Sequence, residues 1–420
     1  MIKISTQKID SYFPVLFILP IVFLPIKYGA SLLFISLFAI YLVIQFPFSR
    51  GTFEKLVWSS FIFRILLVFA NEFAAILPNQ PDAGQYNLQA MKIVDNMSRN
   101  LPLFYDIPYS LSVKSYSFFL SLFYSVFGQI PLLAILVNSF LGILTGVLIY
   151  KMSRELFEDH RIALLASGFT LFLPSLIAFT SYVLRDALVL FLTMSMLYHL
   201  VLISKHKNMS KNILLAALTF SLISIIRIQN FYLYIVFFIF YLSFLVLRSK
   251  KMKTVRWGVL LLVILAFFFI YYSNKELLNA IATYPLRAQP LRAAGGSAYL
   301  QNLQYHSFLD LFKFSPIRFF YFTFGPFLWN AHGSFLLLSA LEGFVILIAA
   351  FLTLRYFQSS KLELNQNIQL FLLLFCLVGL LANSLVDSNF GTAVRHRMNY
   401  IIFFFIFASA YLRKYRIKIF

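Results

Sequence analysis

The chain has 420 residues, 61% of them hydrophobic and only 12% charged, with 35 basic against 15 acidic side chains and a formal net charge of +20. This excludes an ordinary water-soluble domain, because apolar runs of membrane-spanning length recur from end to end. It also argues against nucleic acid as a partner: most basic residues stand in short loops between apolar runs, where they set topology, and do not form a stripe on one face. The expectation is all-α, a polytopic membrane protein of about twelve transmembrane helices forming a single bundle over residues 1–420.

In chain order, "MIKISTQKIDSYFPVLFILPIVFLP" puts Lys3 and Lys8 ahead of an apolar run. It lacks a small-residue cleavage site, so it reads as an uncleaved first helix and not as a signal peptide. Spans are expected at 11–27, 30–48, 56–77, 130–150, 161–179, 186–204, 212–226, 230–247, 257–273, 334–354, 367–386 and 397–412. The stretch 115–128 is too short to cross comfortably and reads as a re-entrant or interfacial helix. Short loops on one side carry Lys3, Lys8, Arg50, Lys55, Lys151, Arg154, Lys205, Lys207, Lys211, the basic run 248–256, Arg413 and Lys414. That bias places both termini in the cytoplasm. Arg64 and Glu72 fall inside a span, where they either pair or snorkel. Cys376 also lies in a span, as a small core residue that forms no intramolecular disulfide.

The unusual sequence collects on the outer face. Two long outer loops are expected, 78–114 and 274–333. In the first, "PDAGQYNLQAMKIVDN" repeats Tyr86, Ala90 and Ile93 at helical spacing, so an amphipathic helix begins just past Asp82. Asp82 is then either a helix N-cap or a general base. In "SYVLRDALVLF", Arg185 and Asp186 open a helix, either as a boundary salt bridge or as site residues. Arg227 in "IIRIQNF" is another outer-end cation.

In the second long loop, "YPLRAQPLRAAGG" offers Arg287 and Arg292 before a glycine pair, which read either as a phosphate clamp or as a solvated basic loop. The last outer turn, "VDSNFGTAVRHR", brings Arg395, His396 and Arg397 to the outer side against the positive-inside trend, and anion binding is the simplest reason. Two carboxylates, Asp82 and Asp186, are thus accompanied by Arg185, Arg227, Arg287, Arg292, Arg395, His396 and Arg397 as candidate donor-phosphate partners. No HExxH, CxxC or phosphate-binding glycine loop occurs, and no cofactor is expected. Asp82, Asp95 and Asp186 could hold a divalent ion, but no spacing argues for one. The fitting chemistry is transfer from a membrane-anchored phosphate leaving group: a carboxylate takes the acceptor hydroxyl's proton, and arginines neutralise the departing phosphate.

"PDAGQYNLQA", "LVNSFLGILTGVLIYKMSRELF" and "LPSLIAFTSYVLRDALVLFLTMSMLY" together resemble the GT-C class of integral membrane glycosyltransferases over about residues 80–200. The resemblance implies a polyprenyl-phosphate-sugar donor, a glycan or lipid acceptor on the outer face of a bacterial inner membrane, and inverting chemistry in cell-envelope glycan synthesis. It makes Asp82 the base and Asp186 a second acidic site residue. Two departures are an extra helical hairpin ahead of the acidic loop and the lack of a soluble outer domain after the spans. The arginine-rich late loops more weakly resemble O-antigen polymerases and ligases, which act on undecaprenyl-diphosphate-linked glycan. That resemblance shifts the site to Arg287, Arg292 and the "RHR" turn, with His396 or His306 as base. A transporter of a lipid-linked solute fits less well, since the charges gather at the outer rim and not at mid-membrane.

Overall fold

The computed structural model describes residues 26–108, 111–248, 275–293, 295–359 and 367–414. The expected span 257–273, and all but the end of 11–27, lie outside them. Among the described residues, 7 helices are long and apolar enough to cross a membrane, so the chain is a polytopic helical membrane protein. It divides into two compact units, Met1–Arg227 with Ser409–Phe420, and Ile228–Ala408.

The first unit holds α1 (Ile26–Gln45), α2 (Thr52–Ala74), α3 (Pro81–Ser98), α4 (Leu111–Phe127), α5 (Pro131–Phe157), α6 (His160–Phe172), α7 (Pro174–Phe179), α8 (Asp186–Ser204) and α9 (Met209–Ile226). Helix α5 is the hub and packs on α1, α2, α6, α7 and α8. Pro131 stands in its first turn, where the missing N–H costs nothing. Gly142 and Gly146 lie one turn apart on α5 and let neighbours approach closely. A Cβ at Gly142 would meet Arg64 and Thr180, and one at Gly146 would meet Leu171.

The expected span 161–179 is broken in two, because Pro174 cannot donate to the helix ahead of it. Among the carbonyls left near the break, that of Leu171 accepts from Ser60 Oγ (3.4 Å) and from Arg64 Nη2 (3.4 Å). Arg64 is buried and donates further to Ser60 Oγ (3.2 Å) and to the Thr180 hydroxyl. The intramembrane arginine therefore neither snorkels nor pairs with Glu72; it ties α2 to the α6–α7 break.

Helices α3 and α4 pack on each other. Tyr86, Gln89, Ala90, Ile93 and Asn96 are the buried residues of α3. Across the pair, Tyr124 Oη donates to Asn87 Oδ1 (2.7 Å) and Ser117 Oγ to Gln89 Oε1 (3.2 Å). At the other end of the unit, Lys205 pairs with Glu158 (2.9 Å), Lys207 with Glu155 (2.7 Å) and Arg413 with Asp159 (3.0 Å).

The second unit holds α10 (Ile228–Arg248), α11 (Lys275–Arg292), α12 (Phe308–Phe324), a 3-10 turn (Leu328–Asn330), α13 (Ser334–Ser359), α14 (Asn367–Ser384) and most of α15 (Phe390–Lys414). Helix α14 packs on α10 and α12, and α12 on α13. Phe375 of α14 meets the rings of Tyr234 (5.1 Å), Tyr400 (5.7 Å) and Phe403 (6.1 Å). Helix α15 begins well ahead of its expected span, so "RHR" lies inside the helix.

Between α11 and α12 the chain turns at Gly295, whose φ of 90° belongs to the left-handed region that glycine enters freely. It then runs against the turn joining α14 to α15. Tyr299 N donates to the Ser388 carbonyl (2.9 Å) and Phe390 N to the Ser297 carbonyl (2.9 Å). Tyr299 Oη donates to the Asp387 carbonyl (2.8 Å) and Tyr305 Oη to the Leu385 carbonyl (3.0 Å). These bonds fix residues 385–389, where the charged groups of this unit meet.

Candidate functional site

Each unit gathers a set of charged residues. In the first, α3 starts with Gln80 as its N-cap and Pro81 in its first turn. Asp82 is thus not the cap residue. It sits partly buried in the first turn of α3.

Asp186 opens α8 and is 2% exposed. It forms an ion pair across two helices with Arg227 at the end of α9 (3.4 Å). Arg185 donates to the Ile226 carbonyl (3.3 Å) and lies over the Tyr86 ring at 5.9 Å. An anion at the N-terminus of α8 and cations at the C-terminus of α9 both suit the helix dipoles. Tyr86 stacks edge-on against Tyr116 (4.9 Å), so the charges of α8 and α9 abut an aromatic wall built by α3 and α4.

In the second unit, Asp387 is fully buried. Its Oδ2 meets His396 Nδ1 at 2.5 Å and its Oδ1 accepts from Arg292 Nη1. Burial alone would raise the Asp387 pKa, but the facing His396 and Arg292 outweigh it and hold the carboxyl well below the usual carboxylate range. Burial works against the Arg292 cation too, yet Asp387 prevails and raises its pKa. The neighbouring Ser388 Oγ accepts from Arg318 Nη1 (2.7 Å) and Gln289 Nε2 (3.1 Å). Arg318 also donates to the Leu303 carbonyl and lies over the Tyr305 ring (4.6 Å).

Arg395, His396 and Arg397 are successive on α15 and so fan to different sides. His396 meets Asp387. Arg397 donates to the Thr323 carbonyl (3.1 Å) and the Gly325 carbonyl at the end of α12, and lies 3.5 Å from Glu342 of α13. Arg395 is close enough to Arg292 to oppose its charge. Arg287 and Arg292 belong to helix α11, with Arg287 exposed and Arg292 turned to Asp387.

The sequence alone did not single out Asp387, Ser388, Gln289, Arg318 or Glu342. Asp387 was visible in "VDSNFGTAVRHR", on the turn before a cationic helix. Arg318 was visible in "SPIRFFYFTF", an arginine within an aromatic run, the same signal that marked Arg64. Among the described residues no group of three or more His, Cys, Asp or Glu could hold a metal ion.

Residues 115–272 match the family described as dolichyl-phosphate-mannose-protein mannosyltransferase. That family is of the GT-C class, so the match supports the resemblance carried by "LVNSFLGILTGVLIYKMSRELF" and "LPSLIAFTSYVLRDALVLFLTMSMLY", while "PDAGQYNLQA" lies outside the matched residues. It spans well under half of the chain and includes α5 to α9 with Arg185, Asp186 and Arg227. No curated protein and no solved structure matches the chain.

Proposed function

We propose that the chain is a GT-C type glycosyltransferase that moves a sugar from a polyprenyl-phosphate carrier to a glycan or lipid acceptor in cell-envelope synthesis. The family match over 115–272 is the observation that carries this reading; the helix Pro81–Ser98 with Asp82 in its first turn precedes the matched residues. Asp82 is the base that takes the acceptor hydroxyl's proton as the sugar's C1–O bond to phosphate breaks. Asp186, committed to Arg227, holds the ends of α8 and α9 in place. In the first unit Arg185 and Arg227 are proposed partners of the donor phosphate; in the second unit, described by itself, Arg287, Arg292, Arg395, His396 and Arg397 are the proposed phosphate-binding set. The chemistry takes place on the outer side of a bacterial inner membrane, with both termini in the cytoplasm.

The test is transfer from a radiolabelled polyprenyl-phosphate sugar in membranes carrying Asp82→Asn. Loss of a general base should cost about a hundredfold or more in rate while donor binding persists. Near wild-type transfer would reduce Asp82 to a favourable first-turn charge. The Asp387–His396 pair favours one second reading, a polysaccharide polymerase or ligase in which His396 takes the proton. In that case His396→Gln abolishes product and Asp82→Asn does not.

A further inference from the structure

Away from its charged groups, the second unit builds a row of aromatic rings that runs out to the surface. Tyr299, beside the 385–389 turn, stacks on Phe390 (4.5 Å) and on Tyr321 (5.9 Å). Tyr321 meets Phe327 edge-on (5.1 Å). Phe327 in turn stacks on Phe320 (5.5 Å, 18° between planes) and on Trp329 (4.8 Å, 12°). The row starts at buried Tyr299 and finishes at Trp329, which is 72% exposed. The 3-10 turn Leu328–Asn330 fixes the last ring, with Asn330 N donating to the Phe327 carbonyl (2.8 Å) and Ala331 N to the Leu328 carbonyl (3.3 Å). Phe327 covers one face of the indole, so the other face is the one offered outward.

An exposed indole in a membrane protein has an ordinary explanation, anchoring at the bilayer interface. The rest of this turn is poorly made for hydrocarbon. Asn330 Oδ1 has no hydrogen-bond partner, His332 and Ser334 are exposed, and a Cβ at Gly333 would meet nothing within 4 Å. Polar groups left unsatisfied are costly in lipid, where no water can serve them. A flat π face beside amide, imidazole and hydroxyl groups suits a ligand that is apolar on its face and hydroxylic at its edge. A pyranose ring has that form. Its axial C–H bonds are slightly positive and meet the negative face of an aromatic ring, while its hydroxyls need hydrogen-bond partners. A phosphate would be repelled by the same face, and an isoprenoid chain would leave the polar groups unpaired.

We propose that the outer face of Trp329 is a carbohydrate-stacking platform that holds a pyranose ring of the acceptor glycan, with Asn330 and His332 as hydrogen-bonding groups at its edge. That the sugar held here is the acceptor rests on the transferase reading above, and it selects a glycan over a lipid for that role. The platform itself stands on the ring geometry and on the polar groups beside it.

The experiment is binding of chitotetraose, cellotetraose and mannotetraose to the full chain, purified in a detergent without a sugar headgroup and read by saturation transfer to the C–H protons of the probe. At least one tetrasaccharide should bind, with transfer strongest to its axial C–H protons. Trp329→Leu keeps an apolar side chain at the surface but removes the π face, and should weaken binding about tenfold. Trp329→Phe keeps a ring and should lose much less, and Phe344→Leu, at another exposed aromatic position on α13, should change nothing. Failure of all three probes to bind overturns the proposal, as does a folded Trp329→Leu protein that binds like the wild type. In nanodiscs of mid-chain brominated lipid, the emission that the wild type has and Trp329→Phe lacks should stay unquenched. Quenching would put the indole in hydrocarbon and make it an anchor; this arm decides if Trp329→Leu does not fold. Sugar binding without transfer from any lipid-linked sugar would sink the transferase reading and leave the platform standing. Transfer whose acceptor KM does not rise in Trp329→Leu would keep the transferase and overturn Trp329 as its acceptor platform.

Discussion

Asp387 carries the most consequential single charge in the second unit. Its carboxyl is fully buried and depends on His396 and Arg292 for its ionised state. A carboxyl whose folded pKa lies below its unfolded one stabilises the protein above the ordinary carboxylate range, and that contribution fades as the pH falls toward the folded value. Asp387→Asn should therefore lower the unfolding temperature most at neutral pH, and the deficit should shrink between pH 5 and pH 3. Thermal unfolding in detergent across that range checks the sign, and a deficit that grows on acidification would be wrong for this account. The Asp186–Arg227 pair makes a parallel case. Asp186→Asn leaves a buried guanidinium without its counter-charge and should cost on the order of 3 kcal/mol. The double variant Asp186→Asn with Arg227→Met should recover part of that loss, because the stranded charge has gone.

At the scale of elements, two devices shape the first unit. One is the glycine pair of α5, which admits Arg64, Thr180 and Leu171 against its backbone. Gly146→Val should force Leu171 away and cost about 1–3 kcal/mol, the usual range for overpacking a close contact. An unchanged melting temperature would show that α6 can retreat without penalty. The other device is the break at Pro174, served by Arg64. The apolar run 161–179 looks continuous to a hydropathy count, yet the missing N–H divides it and turns a mid-membrane arginine into a backbone ligand. In the second unit, α15 likewise starts ahead of the apolar run that announces it. Its first turns are polar but still helical because Asn389 Oδ1 accepts from Gly391 N (2.8 Å) and the buried carboxylate of Asp387 receives His396.

For the molecule as a whole, sidedness is the property to measure. Cys376 is buried and is the single cysteine of the chain, so a Cys376→Ala background allows added cysteines to report one at a time. In spheroplasts, a membrane-impermeant maleimide should label Arg287→Cys at once and Lys211→Cys only after permeabilisation, both positions being exposed. The opposite pattern would invert the topology and put the candidate sites on the cytoplasmic side.

Composition and loop charge determined the class of this protein, because a bilayer requires long apolar helices wherever the chain crosses it. The same information placed α8 at the residues observed and marked Tyr86, Ala90 and Ile93 as the inner face of α3, since helical periodicity is a local property. Arg185, Asp186, Arg292 and His396 could be named as candidates for the same reason. Their partners could not. Asp186 turns to Arg227 across two helices, His396 and Arg292 converge on Asp387, and Arg318 finds Ser388 far along the chain. Those pairings follow from helix packing and from two loops that run against each other, and no spacing along the sequence encodes them. A buried charge is met by whichever group the fold brings within reach, so only the tertiary structure decided which of these charges neutralise one another.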